Sequence, residues 1–351
     1  MGWRFYRRIK IFPGVTMNIG KNGTSYTLGS PGMTTNISSR GIRHTYSISG
    51  TGISYQTPLK RWSNNSTLKK KLSVAERQQI IKQSDYQKLN LGFFEKLILS
   101  SEEKNLVKGI QAYIIGDILQ AETLLKKSTC YADAIFILGF IYLNSKRFND
   151  AIIMFEQAER CPKQIGCFFQ RYQLEMTLTL SLSPFLSVEF PPELLTAYLA
   201  HAEALQQLQK ITEACNILLS LYKKNPQNHL VIISLAELVL KFAPNDTKWM
   251  NAIINLTKNV NNETYIQTVM LMYKAEAFTN LGMHDAAITT LTSALRRKAD
   301  RPLDLLIELQ YKRGFLYSKM GKKTQAIKDL QEVFVQDPNY ANVKQLLAQL
   351  V

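Results

Sequence analysis

Leu309 to Pro338, LQYKRGFLYSKMGKKTQAIKDLQEVFVQDP, sets small and large apolar residues at intervals that recur through the C-terminal two-thirds of the chain. Gly314 is followed by Tyr317, Ala326, Leu330, Val333 and Pro338. This spacing describes two antiparallel helices that cross where Gly314 and Ala326 lack bulk, which lets their axes approach to about 8–10 Å. Tyr317 and Leu330 fill the flanks. Gly321 marks the turn, and Pro338, with no N–H to donate, stops the second helix.

The same spacing runs through Gly109, Ala112, Ala121, Leu125 and Ser128, and again through Gly139, Tyr142, Ala151, Phe155 and Ala158. Further copies start at Ala202 and at Ala275, the latter with Gly282 in its turn. The pattern resembles the tetratricopeptide repeat, whose unit is about 34 residues. Two intervals, 139 to 202 and 202 to 275, are wide enough to hold a degenerate copy each. One would lie around Phe168 to Leu199, interrupted by Pro184 and Pro191-Pro192, the other around Leu230 to Lys258. The expected fold is mainly α: a tetratricopeptide-type solenoid of antiparallel helix pairs over residues 106–351, preceded by a small antiparallel β-meander domain. Five repeats are clear and two are degenerate. A last helix carrying Val343, Leu346, Leu347 and Leu350 on one face caps the stack.

What the resemblance implies is a groove lined by the first helix of each repeat, at positions three before, one after and five after the small anchor. Here those are Phe136, Phe140 and Asn144; Leu199, Glu203 and Gln207; Met272, Glu276 and Asn280; Tyr311, Phe315 and Lys319. Some relatives grip a peptide's terminal carboxylates with Lys, Asn and Arg at these positions. That cluster is missing, and Glu203 and Glu276 would repel such a ligand. An apolar or basic segment of a partner, extended or helical, suits these residues better.

The chain carries 43 Lys and Arg against 27 Asp and Glu, a net charge of +16. The excess is local: residues 1–75 contain twelve basic residues and no carboxylate, Glu76 being the first. Such a one-sided segment attracts polyanions, whether nucleic acid, anionic lipid or an acidic protein face. Cys130, Cys161, Cys167 and Cys215 form no CxxC pair and have no His at metal-ligand spacing, which points to reduced thiols and a cytoplasmic protein. The basic start MGWRFYRRIKIFPG lacks the continuous apolar run of a signal peptide. No stretch reaches the roughly 18 apolar residues of a spanning helix.

Residues 1–57 read as the β module. Trp3, Phe5, Ile9 and Ile11 alternate with Arg4, Tyr6, Arg8 and Lys10, the period of a strand. From Val15 a nine-residue period follows: VTMNIGKNG, TSYTLGSPG, MTTNISSRG and IRHTYSISG. Each unit is a short half-buried strand and a turn. Calcium-binding nonapeptide rolls need an Asp in each repeat, and this region has no acid. WRFYRRIKIFPGVTMNIGKNG, with GTGISY at its end, resembles the bacterial N-terminal module known as domain of unknown function 4236. The resemblance implies a bacterial source and a module joined to a variable C-terminal part, and it brings no activity. Where that family has a basic residue after its first Phe, this chain has Tyr6.

Arg4, Arg7, Arg8, Lys10, Lys21, Arg40 and Arg43 are the candidate anion-binding residues, with Trp3, Tyr6, Tyr26 and Tyr46 available for stacking. The alternative is that these aromatics form the core and the charges keep sheet edges from pairing. Residues 58–72 are polar, basic and aperiodic, a linker. Residues 73–105 form a helical segment, with capping-box spacings at Ser73–Glu76 and Ser100–Glu103 and the apolar run LGFFEKLIL packed against the first repeat. His44, His201, His229 and His284 are scattered, and no phosphate loop or nucleophile motif occurs. No enzyme and no cofactor are expected. The chain reads as a scaffold or adaptor that binds a protein partner through its groove, with a basic module for an anionic partner. The alternative is a nucleic-acid-binding protein whose solenoid is a regulatory or oligomerisation arm. Membrane attachment through the same charges ranks third, because no lipidation signal accompanies them.

Overall fold

In the computed structural model the chain divides into two compact units, residues 1–73 and 74–351. The structure describes the backbone of the strands between residues 6 and 61, and residues 74–350 apart from 91 and 93–96; side-chain surroundings are described from residue 78 onward.

The first unit is an antiparallel meander of β1 (Tyr6–Phe12), β2 (Val15–Gly20), β3 (Gly23–Ser30), β4 (Met33–Ser38), β5 (Gly41–Ser47) and β6 (Ser54–Gln56), paired in chain order. A two-residue β7 (Lys60–Arg61) pairs with β5 at Gly41 and Ile42, and β6 pairs with the other end of β5. The nine-residue period explains the register: Gly20 pairs with Gly23, Ser30 with Met33 and Ser38 with Gly41, so each strand turns back as soon as it ends.

The second unit opens with α1 (Val74–Lys88) and continues as helix pairs: α2 (Ser101–Ile115) with α3 (Ile118–Leu125), and α4 (Ala132–Asn144) with α5 (Phe148–Glu159). After a short α6 (Cys167–Arg171) come α7 (Leu194–Gln207) with α8 (Ile211–Lys224), α9 (His229–Phe242) with α10 (Thr247–Leu256), and α11 (Tyr265–Asn280) with α12 (His284–Leu295). The last pair is α13 (Leu303–Lys319) with α14 (Lys323–Gln336), closed by α15 (Val343–Leu350). The Ser100 hydroxyl accepts from the Glu103 N–H at 3.1 Å and starts α2. Leu97 and Ile98, expected to pack on the first repeat, are instead exposed, while Leu89 after α1 is fully buried.

The anchors sit where the spacing places them. A Cβ on Gly109 would lie 2.8 Å from Leu125, one on Gly139 2.6 Å from the Phe155 ring, and one on Gly314 3.0 Å from Leu330. The small residues of the second helices, Ala121, Ala151, Ala214, Ala287 and Ala326, are all fully buried. Seven residues past the anchors the chain turns with positive φ, at Gly116, Lys146, Gln209, Gly282 and Gly321. Three of the five are glycine, as a left-handed turn favours.

One expectation is corrected. The span 168–199 is not a decayed repeat; it holds α6 and a hairpin of β8 (Leu178–Ser183) and β9 (Leu186–Phe190), in which Leu178 pairs with Phe190 and Leu180 with Val188. The cause is its period-two pattern, with Leu178, Leu180, Leu182, Leu186 and Phe190 buried and Thr179, Ser181, Ser187 and Glu189 exposed. The span 230–258, by contrast, is a true helix pair, α9 and α10. Helix stacking skips the hairpin: His201 of α7 stacks on Phe155 of α5 with centroids 6.5 Å apart, and its Nδ1 lies 2.9 Å from Glu159 Oε1.

Candidate partner-binding groove

The hairpin lies against the faces of the first helices that were expected to receive a ligand. Met176 to Thr179 face Phe140 and Asn144 of α4 across a cavity of about 380 Å³ that α1 and α2 also line. Leu180 to Leu182 cover Leu199, Ala202, Glu203 and Gln206 of α7 and Ser234 and Leu238 of α9, leaving a void of only about 20 Å³. Pro184 and Phe185 at the tip reach Glu237 and Lys241 of α9 and Met272, Tyr273 and Glu276 of α11. The chain thus lays its own hairpin along the first helices of four pairs, α4, α7, α9 and α11. Its base is held by Asp85 of α1, which is fully buried and accepts from the Glu175 N–H with both oxygens, at 3.1 and 2.9 Å. Lys88 donates to the Gln173 carbonyl at 2.7 Å, and Gln78 donates to Glu189.

The hairpin leucines belong to the same continuous apolar core as the helices. Burying one such side chain is worth about 1.5–3 kcal/mol, so the four leucines together with Phe190 make the hairpin a fixed part of the wall. This corrects part of the expected groove. Phe136 and Phe140 are 0% and 1% exposed, their rings edge to face at 5.1 Å, and Met272 is 1% exposed. Leu199 is likewise buried. Glu203 is half-buried and accepts from the amides of Gln206 and Gln207 at 3.1 and 2.7 Å, while Gln207 and Asn144 are exposed.

Beyond the hairpin tip the groove is open. Glu276, Thr279 and Asn280 of α11 face Tyr311, Lys312 and Phe315 of α13 across a cavity of about 270 Å³ floored by Ala275, Leu291 and Leu316. The small anchors Ala275 and Gly314 place these side chains, since the residue after each anchor emerges on the same face. Phe315 is 38% exposed. Tyr311 stacks on Phe315 at 6.5 Å and meets Tyr340 edge to face at 5.5 Å, and its hydroxyl donates to Asn342, which fixes the ring. Lys319 is exposed on the following turn.

An adjoining cavity of about 210 Å³ shares Glu276 and Lys312 and adds Glu237, Lys241, Glu308 and the hairpin tip. Lys312 Nζ lies 3.0 Å from both Glu276 and Glu308. Burial works against its charge, yet the two carboxylates outweigh burial and hold the ammonium above its ordinary range. Glu237 accepts from the Tyr273 hydroxyl at 2.5 Å. Burial raises its carboxyl above the usual range, the Tyr273 hydrogen bond pulls the other way, and nearby Glu276 adds to the rise. Sequence reasoning missed Glu237, Tyr273, Glu308 and Lys312. Glu237 was within reach, because it follows Ala236 as Glu203 follows Ala202 and Glu276 follows Ala275.

Of the candidate anion-binding residues, Arg7, Arg8 and Lys10 fall in β1 and Arg43 in β5; Arg4, Lys21 and Arg40 lie outside the described residues. Among the described residues no helix is long and apolar enough to cross a membrane, and no three His, Cys, Asp or Glu residues gather as metal ligands.

This geometry defines a tetratricopeptide-type solenoid of the kind that serves as a protein–protein interaction scaffold, with a β insertion in its groove. Comparison with known proteins agrees. A family model described as "Protein of unknown function (DUF4236)" matches residues 3–56, and a tetratricopeptide repeat model matches residues 132–160. A model of the N-terminal domain of the ESX-1 type VII secretion system protein EccA1 matches residues 175–349. These matches run in the order of a DUF4236 module followed by tetratricopeptide-type repeats. No curated protein matches it. Among solved structures, the N-terminal domain of the EccA1 ATPase from the ESX-1 secretion system of Mycobacterium tuberculosis is 13% identical, with a TM-score of 0.51 over 71% of this chain and 89% of that one. The C-terminal part of a TPR repeat-containing protein from Cytophaga hutchinsonii is 11% identical, with a TM-score of 0.51 over 78% and 98%. At these identities the likeness is one of fold.

Proposed function

We propose that the chain is an adaptor of the bacterial cytoplasm that receives a peptide or helix of a protein partner in the half of its groove between α11 and α13. The observation that carries this reading is the division of the groove by the hairpin. β8 closes the groove over α7 and α9 and, at its base, walls a cavity of about 380 Å³ with α1, α2 and α4, whereas beyond the tip Asn280, Tyr311 and a partly exposed Phe315 have nothing of the described chain laid over them. The absence of carboxylate from residues 1–75, which hold twelve basic residues, supports a second contact with an anionic partner, through Arg4, Arg7, Arg8, Lys10, Lys21, Arg40 and Arg43. Four free cysteines suit the cytoplasm. Affinity capture with the intact chain tests the groove. A partner recovered by the wild type should be lost with Phe315→Ala, whose exposed ring can be trimmed without opening the core. Recovery that survives this change and Asn280→Ala would place the contact elsewhere.

The same charges favour a second reading for the first unit, in which the anion is nucleic acid and the solenoid is a regulatory arm. Nuclease treatment before capture separates the two.

A further inference from the structure

The assignment of the open groove to a protein segment leaves the chemistry of that segment undefined, and the electrostatics of its two cavities narrow it. We infer that the occupant is an extended segment that pairs an apolar side chain, seated against Phe315 and Tyr311, with a nearby lysine or arginine received by Glu237 and Glu276. This rests on the groove being the partner site.

The two cavities adjoin and share Glu276 and Lys312, so one ligand can enter both. The first is walled by rings and aliphatic carbons, among them Leu291, Leu316 and the exposed face of Phe315. The second gathers carboxylates from three successive first helices: Glu237 of α9, Glu276 of α11 and Glu308 of α13. Against them stand two lysines, one held between two carboxylates and one that offsets part of the Glu237 charge. Lys312 is divided between Glu276 and Glu308 at 3.0 Å each, and Lys241 Nζ lies 5.2 Å from the centroid of its neighbour Phe242. Glu237 has the Tyr273 hydroxyl, and Glu203 of α7 adds a further like charge to its surroundings. A chain that is +16 overall therefore keeps a carboxylate-rich floor in this one groove. An ammonium or guanidinium there relieves repulsion between Glu237 and Glu276, whereas an anionic segment adds to it. Phe185 at the hairpin tip walls the same cavity, so the hairpin helps to shape the cation-receiving end.

The test uses the full-length protein and three short fluorescein-labelled peptides of equal length, in which leucine alternates with lysine, serine or glutamate. p-Benzoylphenylalanine in place of Phe315 reports by photo-crosslinking which of them enters the groove, apart from any binding by the basic first unit. The lysine peptide is expected to label this position at concentrations at least about tenfold lower than the serine peptide, and the glutamate peptide not at all. Glu237→Gln with Glu276→Gln should erase the lysine preference, while serine-peptide labelling persists and shows that the groove is intact. Equal labelling by the lysine and serine peptides, or labelling by the glutamate peptide, overturns the cation assignment and leaves the groove as the partner site. Labelling by none of them overturns both.

Discussion

A Cβ on Gly139 would stand 2.6 Å from Cε1 of Phe155, inside any contact two carbons tolerate. Phe155 has nowhere to retreat: it is fully buried, edge to face with Phe140 at 5.5 Å and stacked with His201 at 6.5 Å. This single approach locks α4 to α5 and, through His201, one repeat to the next. Gly139→Ala should therefore lower stability by about 1–3 kcal/mol despite its better helix propensity. Gly314→Ala meets Leu330 at 3.0 Å, where a small shift suffices, and should cost clearly less. Denaturation midpoints of the two variants check the order.

At the turn after the anchor, Lys146 holds φ 58 and Gln209 holds φ 60, the conformation that glycine fills in three other repeats. For an L residue this region costs about 1–2 kcal/mol. Both side chains are exposed. Lys146→Gly and Gln209→Gly should each raise stability by several tenths of a kcal/mol, less than the full conformational cost because glycine loses more freedom on folding. Thermal unfolding of the single and double variants tests this.

Asp133 is buried and accepts the N–H groups of Gly166 at 2.6 Å and Phe168 at 2.7 Å, which ties the start of α6 to α4. Burial raises its carboxyl above 3.8, and the two N–H donors only partly oppose this. With the folded value above the unfolded one, its contribution to stability is fully present below the unfolded value and falls as pH rises through the folded value. Asp133→Asn should flatten stability against pH across that acidic window. Asp133→Ala leaves two buried donors unpaired and should cost about 2–6 kcal/mol.

If residues 1–75 hold nucleic acid through about six phosphate contacts, affinity should fall about a thousandfold between roughly 50 and 200 mM salt. A titration of a DNA or RNA oligonucleotide at both salt concentrations decides this, and no binding at the lower one removes the nucleic-acid reading.

Much of the fold was legible because close helix approach needs small residues at fixed places: Gly139, Gly314 and Ala326 announce a crossing whatever surrounds them. The meander was equally plain, since a turn must recur where each strand ends. The hairpin was not. Its prolines read as interruptions of a helix, and the alternation from Leu178 to Leu182 is too short to stand out within a helical array. That error propagated to the site, because Phe136, Phe140 and Met272 occupy expected groove positions whose side chains are buried by packing. Glu276, Asn280, Tyr311 and Phe315 remained open because the insertion ends at Phe185. Spacing shows only the Glu308–Lys312 pair, four residues apart on α13; the role of Lys312 depends on Glu276 arriving from α11.

The central claim, that a partner enters between α11 and α13 and not along the half that the hairpin lines, is met most directly by photo-crosslinking in the organism's own cells. p-Benzoylphenylalanine would replace Phe315 in one strain and Asn144 in another. The account predicts a discrete protein adduct from position 315 and none from position 144. An adduct from position 144 with none from position 315 would contradict it.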